Sequence, residues 1–71
     1  MIQVSLIIPF YNAKKHIKKN FESCLKLLEL PIEIIYVNDG SDDNSAEILK
    51  QKIFAPNIIN KKKIFLINMD P

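Results

Sequence analysis

At 71 residues the chain is long enough for one small domain at most, and such a domain buries only about 60% of its unfolded surface, which leaves its core marginal without a staple. A single cysteine, Cys24, excludes an internal disulfide, no Cys/His spacing resembles a zinc site, and 48% hydrophobic with 25% charged residues reads as globular rather than disordered. A net charge of +2, carried by ten lysines and no arginine, argues against a nucleic-acid partner, and apolar runs of about four residues fall far short of the roughly 20 that cross a bilayer. With no secretion-type leader, the expectation is a soluble, cytoplasmic protein, and the single cysteine is compatible with a reducing compartment.

The first predicted element is a strand over residues 3–8, where Val4, Leu6, Ile7 and Ile8 form a nearly continuous apolar run. Such a run predicts burial on both faces, with Pro9 ending the strand because proline cannot donate to a ladder. Asn12 has the side chain of an N-cap for the next element. Over residues 13–30, Ile17, Phe21, Cys24 and Leu28 recur at spacings of four, three and four, with lysines and glutamates opposite them. This predicts an amphipathic helix packed on a sheet and stopped by Pro31. Cys24 falls in the apolar stripe and is read as a small buried side chain, whereas His16 belongs to the solvated face.

Residues 32–37 are rich in β-branched and aromatic side chains and run into Asn38-Asp39-Gly40-Ser41-Asp42-Asp43-Asn44-Ser45, the pattern of a buried strand ending in a tight polar turn. Asn44 and Glu47 have the spacing of a capping box, and Ala46, Leu49 and Ile53 give a second, shorter helix one apolar edge. Asp42 and Asp43 are placed to interact with that helix's dipole and free N–H groups. Phe54 to Asn57 is a breaker, Ile58-Ile59-Asn60 fits neither element, and Lys61-Lys62-Lys63 is a basic loop tip. Residues 64–67 have the composition of a third strand. The order β-α-β-α-β predicts a three-layer α/β fold on a parallel sheet with right-handed crossovers.

In open parallel sheets ligands bind at the C-terminal ends of the strands, and that edge should carry Pro9-Phe10-Tyr11-Asn12 beside Asn38-Asp39-Gly40-Ser41. An Asp-Gly-Ser turn also forms without any ligand, its Asp bonding nearby backbone N–H groups. As a binding edge, it combines an aromatic ring that can stack on a planar base with a carboxylate that can accept an N–H from that base. Uracil, with its N3–H donor, suits Asp39 better than cytosine, whose N3 is an acceptor. Gly40 allows a positive φ or a close backbone approach. As the one glycine in the chain, it rules out both G-x-G-x-x-G and P-loop phosphate sites. An EF-hand loop from Asp39 would need Gly at Asn44 and Glu at Lys50 and fails at both.

Val4-Ser5-Leu6-Ile7-Ile8-Pro9-Phe10-Tyr11-Asn12-Ala13 and, at the right distance, the stretch from Ile32 to Ser45 together resemble the start of a family 2 glycosyltransferase. The resemblance covers essentially the whole chain. It implies the N-terminal, nucleotide-binding portion of a GT-A fold over residues 1–71 and a nucleotide-sugar donor, with UDP as the expected nucleotide. By the same resemblance Pro9 and Tyr11 line the base pocket, Asp39 holds the base, and Gly40 and Ser41 form the turn behind it. Complete domains of the family usually use Mg or Mn, but neither the D-x-D metal motif nor the catalytic-base carboxylate can be assigned here, so no catalytic or metal-binding residue is expected among these 71. Met69-Asp70-Pro71 also departs from the family's glycine-containing continuation.

The expectation is a truncated domain, inactive alone, that binds the nucleotide of a donor used in bacterial glycan synthesis. A second expectation is a fragment without ligand that self-associates, as a homodimer, through an exposed edge of the first strand. A nucleotidyltransferase of similar fold would need a Gly- and Arg-rich loop where residues 9–14 stand.

Overall fold

The structure, a computed structural model, describes residues 2–59 and 62–69. Three parallel strands, β1 (Val4–Phe10), β2 (Ile32–Asp39) and β3 (Ile64–Met69), form a sheet in the order β1-β2-β3. Between them run α1 (Ile17–Cys24), continued by a 3-10 turn at Leu25–Glu29, then α2 (Ser45–Ile53) and the four-residue α3 (Pro56–Ile59). The parallel α/β expectation is met. Both helical crossovers pack on the same side of the sheet, so the described residues supply two of the three expected layers, the sheet and one layer of helices.

The register explains this one-sidedness. Ile34 pairs with Leu6 and Ile64, Tyr36 with Ile8 and Leu66, and Asn38 with Phe10 and Asn68, which sets these side chains on one face of the pleat. That face meets the α1 stripe of Ile17, Phe21 and Cys24 together with Leu28, Leu49 and Ile53, and where the two layers meet Ile34 and Tyr36 of the sheet and Leu49 of α2 are fully buried. The Tyr36 hydroxyl donates to Asn20 Oδ1 at 2.7 Å, so the phenol reaches through the core and satisfies its polar end on α1. Burial, with the Cys24 thiol beside it, raises the Tyr36 phenol above its ordinary pKa. Cys24 is a free, buried thiol in the apolar stripe, as read from the sequence.

On the opposite face lie Ile7, Ile35, Val37, Phe65, Ile67 and Met69, of which Ile7 and Met69 are each 52% exposed. The expectation that β1 is buried on both faces is therefore corrected. β1 pairs with β2 alone among the described strands, and Val4 is 55% exposed. Its apolar run reflects composition, not enclosure. Pro9 does not end the strand either: it pairs with Val37 inside β1, a position an edge strand tolerates because the missing N–H is not needed by an outer neighbour.

Three local expectations are also redrawn. The first helix is shorter than residues 13–30: the chain makes a turn in which the His16 and Ile17 N–H groups both donate to the Ala13 carbonyl, α1 starts at Ile17, and its end tightens into the 3-10 turn. Asn12 does not cap it, because His16 occupies that position. The Asn44/Glu47 capping box does not form, since Asn44 makes no side-chain cap bond. Lys63 is no loop tip: its ammonium donates to the carbonyls of Leu28 and of Leu30, the latter at 2.6 Å, and ties the entry of β3 to the end of the 3-10 turn. Ile58 belongs to α3, whereas Asn60, Lys61, Asp70 and Pro71, which also figured in the sequence reading, lie outside the described residues. Among the described residues no helix is long and apolar enough to cross a membrane.

Candidate functional site

Because the strands are parallel, β1, β2 and β3 all end on one rim, and the register sets Phe10 beside Asn38 and Asp39 beside Met69 there. Phe10 is buried and meets Tyr36 edge-on, ring centroids 6.2 Å apart at 75°, which anchors the end of β1 in the core. The next residue, Tyr11, is 59% exposed at the rim. Asp39 closes β2 with an exposed side chain, and among the described residues no hydrogen bond engages its carboxylate. Gly40 follows at φ 76°, where a Cβ would crowd the backbone, so the turn that ends β2 needs glycine.

The two loops on the rim are sewn together by side chains. Asn12 takes the left-handed conformation at φ 47°, which Asn tolerates better than most residues. In that pose its backbone N–H donates to Ser41 Oγ at 2.9 Å, while its Oδ1 accepts the N–H groups of Asp42 at 2.9 Å and Asp43 at 3.3 Å. Ser41 in turn donates its N–H to Asn38 Oδ1 at 2.9 Å, and the buried Asn38 donates through Nδ2 to Asn68 Oδ1 at 3.0 Å. A chain of polar contacts thus links the ends of all three strands.

Asp43 closes the other end of the seam. Its Oδ1 accepts both the N–H of Ser45, at 2.9 Å, and the Ser45 hydroxyl, and its Oδ2 accepts the Lys14 N–H at 3.1 Å. It satisfies a free donor at the start of α2, in keeping with its expected interaction with that helix, and clips the approach to α1 onto it. The Ser45 hydroxyl, followed by the Ser45 and Lys14 N–H groups and the Lys14 charge, holds the Asp43 carboxyl below the usual carboxylate range. With the folded value below the unfolded one of about 3.9, the contribution of this clip is complete above that value and is lost as pH falls through the lower one. The Lys14 and Ser45 amide resonances are expected to hold steady at pH 5 and above and to move together below about pH 4. In Asp43→Asn that movement should vanish, and amides that move identically with pH in the variant would show that no clip exists.

A family model described as "Glycosyl transferase family 2" matches residues 5–70. The chain belongs to that family. Among its curated relatives is an undecaprenyl-phosphate 4-deoxy-4-formamido-L-arabinose transferase of Proteus mirabilis, 39% identical over 69 residues that cover 92% of this chain and 20% of the relative. The Yersinia enterocolitica protein of the same description is 49% identical over 51 residues, 66% of this chain and 15% of the relative. An uncharacterized glycosyltransferase of Haemophilus influenzae is 40% identical over 60 residues, 84% and 22% respectively. This family 2 chain therefore spans about a fifth of the length of such relatives.

Of the residues that the family resemblance singled out, Tyr11, Asp39, Gly40 and Ser41 come together on the rim, and Pro9 lies just inside it on β1. Ser41 differs from the others in that its hydroxyl and N–H are already engaged within the seam. Among the described residues no three His, Cys, Asp or Glu side chains gather as a metal site requires, and Asp43 is engaged by Ser45 and Lys14. A hollow of about 290 Å³ beside the start of β3, lined by Ile53, Phe54, Ile58 and Ile64, lies at the far end of the sheet and carries no acidic group. The seam residues Asn12, Asn38 and Asp43 were not legible as a set. The bonds between the two loops span about 30 positions and give no local signal, although the Asn/Asp/Ser density at both strand ends marks where to look.

Proposed function

We propose that this chain carries the nucleotide subsite of a family 2 glycosyltransferase, holding the uracil of a UDP-sugar between the Tyr11 ring and the Asp39 carboxylate. The observation that carries this reading is the rim itself: an exposed aromatic ring and a carboxylate that no described residue engages, on adjacent strand ends tied together by the Asn12 seam. Tyr11 stacks on the base, and Asp39 accepts the uracil N3–H as a charge-assisted bond. Gly40 and Ser41 let the backbone turn away beneath the base, and Pro9 closes the pocket from the β1 side.

We assign no catalytic residue to these 71, so the chain alone binds the donor's nucleotide without transferring its sugar. The similarity to relatives described as undecaprenyl-phosphate 4-deoxy-4-formamido-L-arabinose transferases supports a place in bacterial glycan synthesis, on the cytoplasmic side where nucleotide-sugars are supplied.

An amide NMR titration with UDP, with CDP as the control that changes the base alone, tests the reading. Saturable shifts at Tyr11 and Asp39, stronger for UDP, are expected. Dispersed resonances that respond to neither nucleotide would overturn it. The exposure of Val4 and Ile7 on β1 favours a second reading, a homodimer formed along that edge. Sedimentation of the chain as a monomer at high concentration would remove it.

A further inference from the structure

Asn12 contributes three hydrogen bonds between segments about 30 residues apart and is one of two described non-glycine residues with positive φ. It adjoins Tyr11 directly, while its partners Ser41, Asp42 and Asp43 follow Asp39 by two to four residues. Each bond bears on the same geometry. The Oδ1 gathers two successive N–H groups of the loop after β2, and the backbone N–H fixes the rotamer of Ser41, whose own N–H is fixed by Asn38. The other described side-chain link between the two loops, from Asp43 to Lys14, lies further along the chain from both Tyr11 and Asp39. Phe10 anchors the end of β1 below the rim, and Asn38 bonds to Ser41 within the loop after β2 and to Asn68, so neither ties the two loops to each other.

We infer that Asn12 is a positioning residue that sets the gap between the Tyr11 ring and the Asp39 carboxylate, and through that gap the preference for uracil over cytosine. The inference rests on the nucleotide reading above. Asn12 need not touch the nucleotide. A stacking ring accepts any pyrimidine; discrimination requires the carboxylate to lie in the plane of the stacked base, at the height the ring dictates. Holding the two loops in register supplies that height. The two properties of Asn12, tolerance of positive φ and an acceptor oxygen, can be separated by substitution: glycine keeps the first and loses the second, and aspartate keeps both.

The experiment compares the wild-type chain with Asn12→Gly and Asn12→Asp by amide NMR, titrating each with UDP and with CDP. In Asn12→Gly, the β2 amides should remain dispersed while the Asp42 and Asp43 amides shift upfield, and the UDP-over-CDP preference should fall by about tenfold. In Asn12→Asp, the two amides and the preference should return. Because UDP and CDP carry the same diphosphate, the charge that Asn12→Asp adds cancels in the ratio. A folded Asn12→Gly chain that keeps the full preference overturns the inference, as does an Asn12→Asp chain that does not regain it. A wild-type chain that fails to distinguish UDP from CDP instead overturns the nucleotide reading. In that case Asp42 and Asp43 amides unmoved in Asn12→Gly would overturn the seam as well, and shifted ones would leave Asn12 as the tie between the loops.

Discussion

Ile34→Ala is expected to cost about 2–5 kcal/mol and to leave the chain at the limit of folding. Ile34 is fully buried in the first half of the middle strand, paired with Leu6 on one side and Ile64 on the other, and faces the helices. Shortening it removes packing against that layer from a site where strands on both sides hinder collapse into the void. A domain of 71 residues has about 4–10 kcal/mol to lose, at roughly 0.05–0.15 kcal/mol per residue. The urea midpoint should therefore fall by about a fifth or more, with loss of dispersed amides in the extreme case. Ile35→Ala, one position along but on the open face, is expected to cost less than half as much, because that side chain is only partly covered. Equal losses from the two would overturn the one-sided arrangement of the helices.

Asp39→Ala is expected to weaken UDP binding by about 10- to 150-fold, the equivalent of one hydrogen bond to a charged group at roughly 1.5–3 kcal/mol. Asp39 is exposed and unengaged by described groups, so the urea midpoint should stay where it was. Loss of affinity without loss of stability is what separates a ligand-binding carboxylate from a turn-forming one. Asp39→Asn should fall between the two, since an amide oxygen still accepts the uracil N3–H but brings no charge. CDP affinity should change far less than UDP affinity in both variants. Isothermal titration or the same NMR shifts would measure this, and UDP affinity unchanged in Asp39→Ala would sink the assignment.

What the sequence made legible was whatever local spacing controls. The stripe of Ile17, Phe21, Cys24 and Leu28 is buried as its periodicity requires, and the run from Ile32 to Val37 into Asn38-Asp39-Gly40 forms the strand and the glycine turn that it spells. Adjacent parallel strands then bring Tyr11 and Asp39 to one rim, as a β-α-β order demands. What failed depended on distant partners. Asn12 reads locally as a cap for the helix that follows, yet its oxygen is taken by Asp42 and Asp43. Asn44 and Glu47 have capping-box spacing, yet Asp43 satisfies the start of α2. Lys63 looks like one of three solvated lysines, yet two carbonyls more than 30 residues earlier hold it. The exposure of β1 could not be read from its apolar run, because composition does not tell an edge strand from a central one.

The direct register of β1 on β2, from Val4 against Ile32 to Phe10 against Asn38, separates two kinds of length in this chain. Between the strands, the crossover can gain or lose residues where it returns to the start of the next strand, away from the rim, since pairing and not contour length sets where the strands end. Within a strand no such freedom exists. A one-residue deletion in β2 would exchange the faces of the residues that follow it, setting the carboxylate of Asp39 inward where Asn38 now sits and moving the Asn38 amide to the open face in the place of Val37. Insertions and deletions should therefore be absorbed in the connections, while each strand and its terminal loop behave as a unit of fixed length.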